Sequence, residues 1–113
     1  MRTKTLWVKT EHLQHILDGR KTVEVRVGYS NITCLRAGDR LLLNDQYPYV
    51  IKRVGRYASF EELLAHEAPG TIAPDVSPDQ LLGVMRAIYP PEKEALGAVA
   101  LEIERESDLI ARG

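Results

Sequence analysis

The hydrophobic pattern changes period several times along the chain, and each change marks an element. Thr5–Val8, "TLWV", is short, β-branched and aromatic, and predicts a first strand. Beyond Thr10, a capping candidate, Leu13, Ile16 and Leu17 recur at three- and four-residue spacing up to Gly19, which predicts a helix. From Thr22 to Val27 the period becomes two, the signature of a half-buried strand. "GYSNITCLRAGD" is rich in turn formers and reads as a long loop, followed by strands at "RLLLN" and "YVIKRVGRY". Ser59 with Glu62 forms a capping-box pattern at the start of a short helix. "EAPGTIAPDV" reads as loop. Ser77 as cap, Pro78 at the first helical position and Gln80 completing a second box then open a helix that must stop before the prolines of "YPP". "GAVALEIERE" alternates again as a closing strand, and the tail from about residue 107 is expected to fray.

These elements fit a single domain over residues 1–113: an α+β fold whose small mixed sheet of five to six strands curls into a barrel, with about three helices packed around it. A doubly wound parallel sheet is excluded, because the third and fourth strands have no helix between them. The pattern does contain one early β-α-β passage. No apolar run approaches the roughly 18 to 20 residues that cross a bilayer. "MRTKTLWVKT" lacks the apolar core of a signal peptide, so no membrane association and a cytoplasmic location are expected.

Charge adds an asymmetry. Residues 1–56 carry 11 Lys/Arg against 5 Asp/Glu, and residues 57–113 carry 4 against 11. A basic N-terminal half suits a nucleotide or RNA ligand, whereas a pI near 6.3 argues against non-specific duplex binding. The single cysteine, Cys34, rules out an internal disulfide framework. His12, His15 and His66 supply no evident zinc ligand set, and no phosphate-binding glycine loop or G-x-S-x-G nucleophile motif occurs. No metal, cofactor or obligate protein partner is expected.

The chemistry that remains lies in "GRKTVEVRVGYSN", Gly19–Asn31. Its valines explain a strand, but Arg20, Lys21, Glu24 and Arg26 need a further account. Lys21 stands at a helix-to-strand junction, where an amine can enter a cleft and serve as nucleophile or base if desolvated. Glu24 can orient or protonate it, and Arg26 offers a planar fork for a carbonyl, phosphate or carboxylate. The bland alternative is a solvated face of an edge strand. In a regular strand Lys21 and Glu24 lie on opposite faces, so they meet only if Lys21 precedes the strand or a bulge re-aims it.

"ILDGRKTVEVR" resembles the G-x-K-T-x-E-x-R signature of the ASCH domain family. "LRAGDRLLL" and "RAIYPPEKEALGAVALEIE" are similar to that family's G-D turn and to its closing helix and strand. The resemblance spans about residues 5 to 105 and implies a PUA-like β-barrel that binds RNA or nucleotides beside the signature. One bacterial branch comprises small metal-independent amidohydrolases that deacylate N4-acetylcytidine and related acylated cytosines. Their proposed catalytic lysine corresponds to Lys21. They carry threonine where this chain has Glu24, and their downstream glutamate aligns ambiguously, with Glu67 and Asp75 as candidates. The implied site is then Lys21, Glu24 and Glu67 for catalysis, with Arg20, Arg26, Tyr29, Ser30 and Asn31 contacting substrate. Two readings stand: an amidohydrolase acting on an N4-acylated cytosine nucleoside, or a non-catalytic module for single-stranded or modified RNA or nucleotides.

Overall fold

The computed structural model describes the backbone of residues 2–112 and the side chains of residues 2–109. Five strands, β1 (Thr3–Leu6), β2 (Val23–Val27), β3 (Arg40–Leu43), β4 (Tyr47–Tyr57) and β5 (Ala98–Arg105), form one sheet in the order β1-β3-β4-β5-β2, curled into a half-barrel. Only β1 and β3 run parallel; every other pair is antiparallel. The helices are α1 (Thr10–Leu17), α2 (Ser30–Thr33), α3 (Phe60–His66), α4 (Pro69–Ile72), α5 (Pro78–Ile88), α6 (Pro91–Glu94) and α7 (Glu106–Arg112).

The sheet separates two apolar clusters. Val99, Leu101 and Ile103 of β5 join Leu6, Leu13, Ile16, Leu35, Leu41 and Ile51 under α1. The alternate positions, Ala98 and Ala100, join Val23, Val27, Phe60, Leu63, Leu81 and Met85 under α3 and α5. A strand with both faces covered is apolar at consecutive positions, which is why "AVAL" interrupts the alternation. Both clusters contribute to stability, since burial of a large aliphatic side chain contributes about 1.5–3 kcal/mol.

Several boundaries differ from those expected. β1 lies two residues earlier than "TLWV", because its partner β3 ends at Leu43 and the chain turns at Asn44 and Asp45, both at positive φ. The Asn44 side chain then takes over the pairing: its Oδ1 accepts from Val8 N at 2.7 Å and its Nδ2 donates to Val8 O at 2.9 Å. Lys9, not Thr10, occupies the N-cap of α1. The early β-α-β passage is no parallel crossover, because β1 and β2 are opposite edges of the sheet. The loop after β2 contains α2, whose Ile32 is buried, and "EAPGTIAPDV" contains α4, started by Pro69. The backbone at 107–112 is helical rather than frayed, and Gly113 lies outside the described residues. The Ser59 box forms in half: Oγ accepts from Glu62 N at 3.1 Å, while the Glu62 carboxylate accepts from Ala58 N rather than Ser59 N. The box expected at Ser77 and Gln80 does not form, because the Ser77 hydroxyl donates to Asp79 instead. Among the described residues no helix is long and apolar enough to cross a membrane.

Candidate functional site: a cavity on the free edge of β2

The local fold resolves the geometric conflict between Lys21 and Glu24. Gly19, at φ +82°, ends α1 in a conformation that glycine adopts without a steric penalty. Arg20 N and Lys21 N both donate to His15 O at 3.0 Å, so the chain folds back before β2 starts at Val23. Lys21 therefore precedes the regular strand, and its side chain is free of the pleat.

That side chain is 5% exposed, and Glu24 is 8% exposed. Lys21 Nζ donates to Val23 O at 2.8 Å and Ile72 O at 2.7 Å, and lies 3.0 Å from Glu24 Oε1. Glu24 Oε2 accepts from Arg26 Nε at 2.9 Å, with Arg26 Nη2 at 2.8 Å. Arg26 Nη2 also donates to Trp7 O at 2.8 Å, fastening the end of β1 to β2 across the open side of the half-barrel. Burial by itself would push the Glu24 carboxyl up; the charges of Lys21 and Arg26 and their hydrogen bonds together outweigh it and hold the group below the usual carboxylate range.

This triad forms the charged end of a cavity of about 250 Å³. Its lining includes Trp7, Val8, Lys9 and His12 around the start of α1, Val84, Met85, Ile88 and Tyr89 from α5 and its end, and Val25 and Ile72. Burial raises the Tyr89 hydroxyl pKa, and its ring packs 5.8 Å from that of Phe60. Trp7, the chain's single tryptophan, is 65% exposed at the rim. Among the described residues no group of three or more His, Cys, Asp or Glu side chains is placed to hold a metal ion.

The expected site residues fall in five places. Lys21, Glu24 and Arg26 meet in the cavity. Arg20 is exposed, bonded to Asp18 at 3.2 Å, and lies outside the cavity lining. Tyr29 caps the N-terminus of α2, with Lys93 Nζ 5.3 Å from its ring centroid; Ser30 and Asn31 follow on that helix, exposed, and none of the three lines the cavity. Glu67 is buried elsewhere, at the end of α3 against β4. Arg53 Nη1 and Nη2 grip its carboxylate at 2.9 and 2.6 Å, and the Tyr57 hydroxyl donates to it. Asp75 faces His15, 3.7 Å from its Nε2, also outside the lining.

Trp7, His12 and the aliphatic face of α5 were not singled out as site residues. An aromatic inside a β-branched run reads as strand core, whereas Trp7 lies just beyond β1 and is exposed between the buried Leu6 and Val8. The α5 side chains obey helical core spacing whether they face a core or a cavity. The Ile72 carbonyl, a backbone group, carries no residue-type signal at all.

The comparisons agree with this architecture. The structure is similar to the crystal structure of hypothetical protein PH0355, with 28% identity, a TM-score of 0.84, and coverage of 93% of this chain and 99% of that one. It is also similar to the solution structure of protein PF0455 from Pyrococcus furiosus, again at 28% identity, with a TM-score of 0.76 and coverage of 92% and 97%. A search of curated proteins gives no match. The ASCH domain model matches residues 6–107, so the half-barrel, with its lysine, glutamate and arginine on the free edge of β2, belongs to the ASCH domain family, a PUA-like fold.

Proposed function

We propose that the chain is a recognition module that takes one nucleobase, from a nucleoside or unstacked from RNA, into the cavity beside β2. Lys21 carries this reading. An ammonium has three hydrogens, and three acceptors stand within 3.0 Å of its nitrogen. Those three acceptors account for every hydrogen of an ammonium and leave no direction for a lone pair aimed at a substrate, as a nucleophilic or basic amine would need. Lys21 thus serves as a fixed positive charge. A volume of about 250 Å³ is below the roughly 300–1,000 Å³ of ordinary small-molecule pockets, which suits a single ring with ribose and phosphate left outside. Each Glu24 oxygen keeps a lone pair for an exocyclic amino donor, and Tyr89 and Trp7 supply aromatic surface for a base.

Trp7 fluorescence tests it. Saturable quenching by cytidine, N4-acetylcytidine or a short single-stranded RNA is expected, and is expected to disappear in Lys21→Met. No quenching and no calorimetric heat with any of the three would reject the module.

A second reading, hydrolysis of N4-acylated cytosine nucleosides, is favoured by one observation: the buried Glu24 carboxylate shares the cavity with an aliphatic wall, Val84, Met85 and Ile88, suited to an acyl group. Here Glu24 takes a proton from water as its oxygen attacks the acyl carbon. The Lys21 and Arg26 charges steady the oxyanion. The C–N bond then breaks, and the proton passes to the departing amine, leaving cytidine and the carboxylic acid. Cytidine release from N4-acetylcytidine in excess chelator, followed by absorbance, decides for this reading. Turnover retained in Lys21→Arg keeps the lysine as a charge; turnover lost there with the fold intact returns it to the role of a neutral amine.

A further inference from the structure

The Glu67 clamp lies away from the cavity, yet a very short length of chain joins the two. Glu67 ends α3, is 6% exposed, and receives a bidentate fork from Arg53 together with the Tyr57 hydroxyl. Arg53 is itself fixed to β5, its Nε donating to Glu102 Oε1 at 3.0 Å. The clamp therefore ties the end of α3 to the two central strands of the sheet. A fork of two parallel bonds sets direction as well as distance, which apolar packing does not.

The chain leaves Glu67 through Ala68 and enters the tight turn of α4. Thr71 N and Oγ1 both donate to Ala68 O, at 3.1 and 2.6 Å, and Ala73 N donates to Pro69 O at 3.0 Å. Two carbonyls at the far end of this turn reach the approach to β2. Thr71 O accepts from Thr22 N at 2.9 Å, and Ile72 O accepts from Lys21 Nζ at 2.7 Å. Space is also conceded to the clamp. A Cβ on Gly55 would stand 2.8 Å from Tyr57 Oη and 2.9 Å from Glu67 Oε2, so no larger residue fits beneath it without displacing the carboxylate.

We propose that Glu67 is a positioning residue: locked to β4, it sets where α4 presents the Ile72 carbonyl, and through that carbonyl it holds the Lys21 ammonium in the cavity wall. The inference rests on the reading of Lys21 as a fixed charge.

The test uses the full chain with 15N-labelled lysine. Of five lysines, Lys21 alone is buried with three acceptors, so at neutral pH its Nζ–H₃ group should give a cross peak protected from exchange with water. Glu67→Ala and Gly55→Ala should each abolish that peak. Tyr57→Phe should weaken it, and Glu67→Gln, which keeps the shape and part of the fork, should retain it in reduced form. Leu35→Ala, in the other apolar cluster, should lower Tm while leaving the peak intact. An unchanged peak in both Glu67→Ala and Gly55→Ala, with Tm lowered, would show that Glu67 only stabilises the fold and would overturn the proposal. If Glu67→Ala fails to fold, Gly55→Ala and Tyr57→Phe decide by the same peak. Absence of the protected peak in the unsubstituted protein overturns the fixed-charge reading itself, and so is distinguishable from failure of the Glu67 link.

Discussion

Glu24 and Glu67 are the two buried carboxylates among the described residues, and the chain treats them differently. Both are held below the usual carboxylate range, for reasons of different weight. At Glu24 burial is the largest single influence, pushing upward, and it takes two neighbouring cations to reverse it. At Glu67 the Arg53 hydrogen bonds lead, burial opposes them, and Tyr57 adds another bond. Their surroundings differ more than their charge. Glu24 lines the cavity, whereas Tyr57 and the backbone at Gly55 close over Glu67. Pairing makes a buried acid tolerable; an adjoining cavity is what sets Glu24 apart from Glu67.

The largest effect expected from breaking this contrast comes from Glu24→Ala. Removing one partner of a buried pair typically costs about 3–5 kcal/mol, because the opposite charge is left uncompensated. Since Arg26 is partly exposed, the loss should fall near the lower end of that range, read by urea unfolding, with ligand quenching abolished.

Acid should act on both carboxylates with the same sign. The unfolded glutamates take up protons near pH 4.3, the native ones only at lower pH. Between these values the unfolded chain binds more protons, so stability is fully present above about pH 4.3 and is lost as pH falls through the native values. Each carboxylate contributes a slope of at most about 1.4 kcal/mol per pH unit in that window. Denaturant titrations from pH 5 to 2.5 should show a shallower slope in Glu67→Gln, and an equal slope would deny that Glu67 is ionised and paired.

Trp7→Ala should be smaller still and confined to the cavity. Base stacking on an aromatic is worth about 1–3 kcal/mol, or roughly 5- to 150-fold in affinity, while Tm should stay unchanged because the side chain is mostly exposed. Calorimetry replaces fluorescence for this variant. Smallest of all is Arg20→Ala, which removes an exposed pair with Asp18 and should leave both Tm and affinity where they were.

Part of the candidate site was legible in the chain alone, because three of the charges that meet in the cavity are near neighbours in it. Lys21, Glu24 and Arg26 stand out as charges that a strand does not need, and a signature of that length survives any error in long-range packing. The Glu67 side chain is not in the cavity, because α3 delivers it to the sheet position occupied by Gly55 and Tyr57 on β4. No local pattern shows which sheet position a helix end will meet. The boundary of β1 was out of reach for a similar reason: whether Trp7 continues a strand depends on where its parallel partner stops, some forty residues away.

Local patterning determined what depends on nearest neighbours: α1, α3 and α5 with their apolar faces, the alternation in β2, the reversal at Gly19, the stop before Pro90, and the three charges around β2. Tertiary structure decided what depends on groups distant in the chain. It brought the Ile72 carbonyl onto Lys21, the Trp7 carbonyl onto Arg26, and Val84, Met85 and Ile88 into the cavity that Glu24 lines. The physical reason is that propensity and periodicity act within a few residues. A buried charge is stabilised by whatever acceptors the completed fold places around it, and here several of those are backbone carbonyls that every residue possesses.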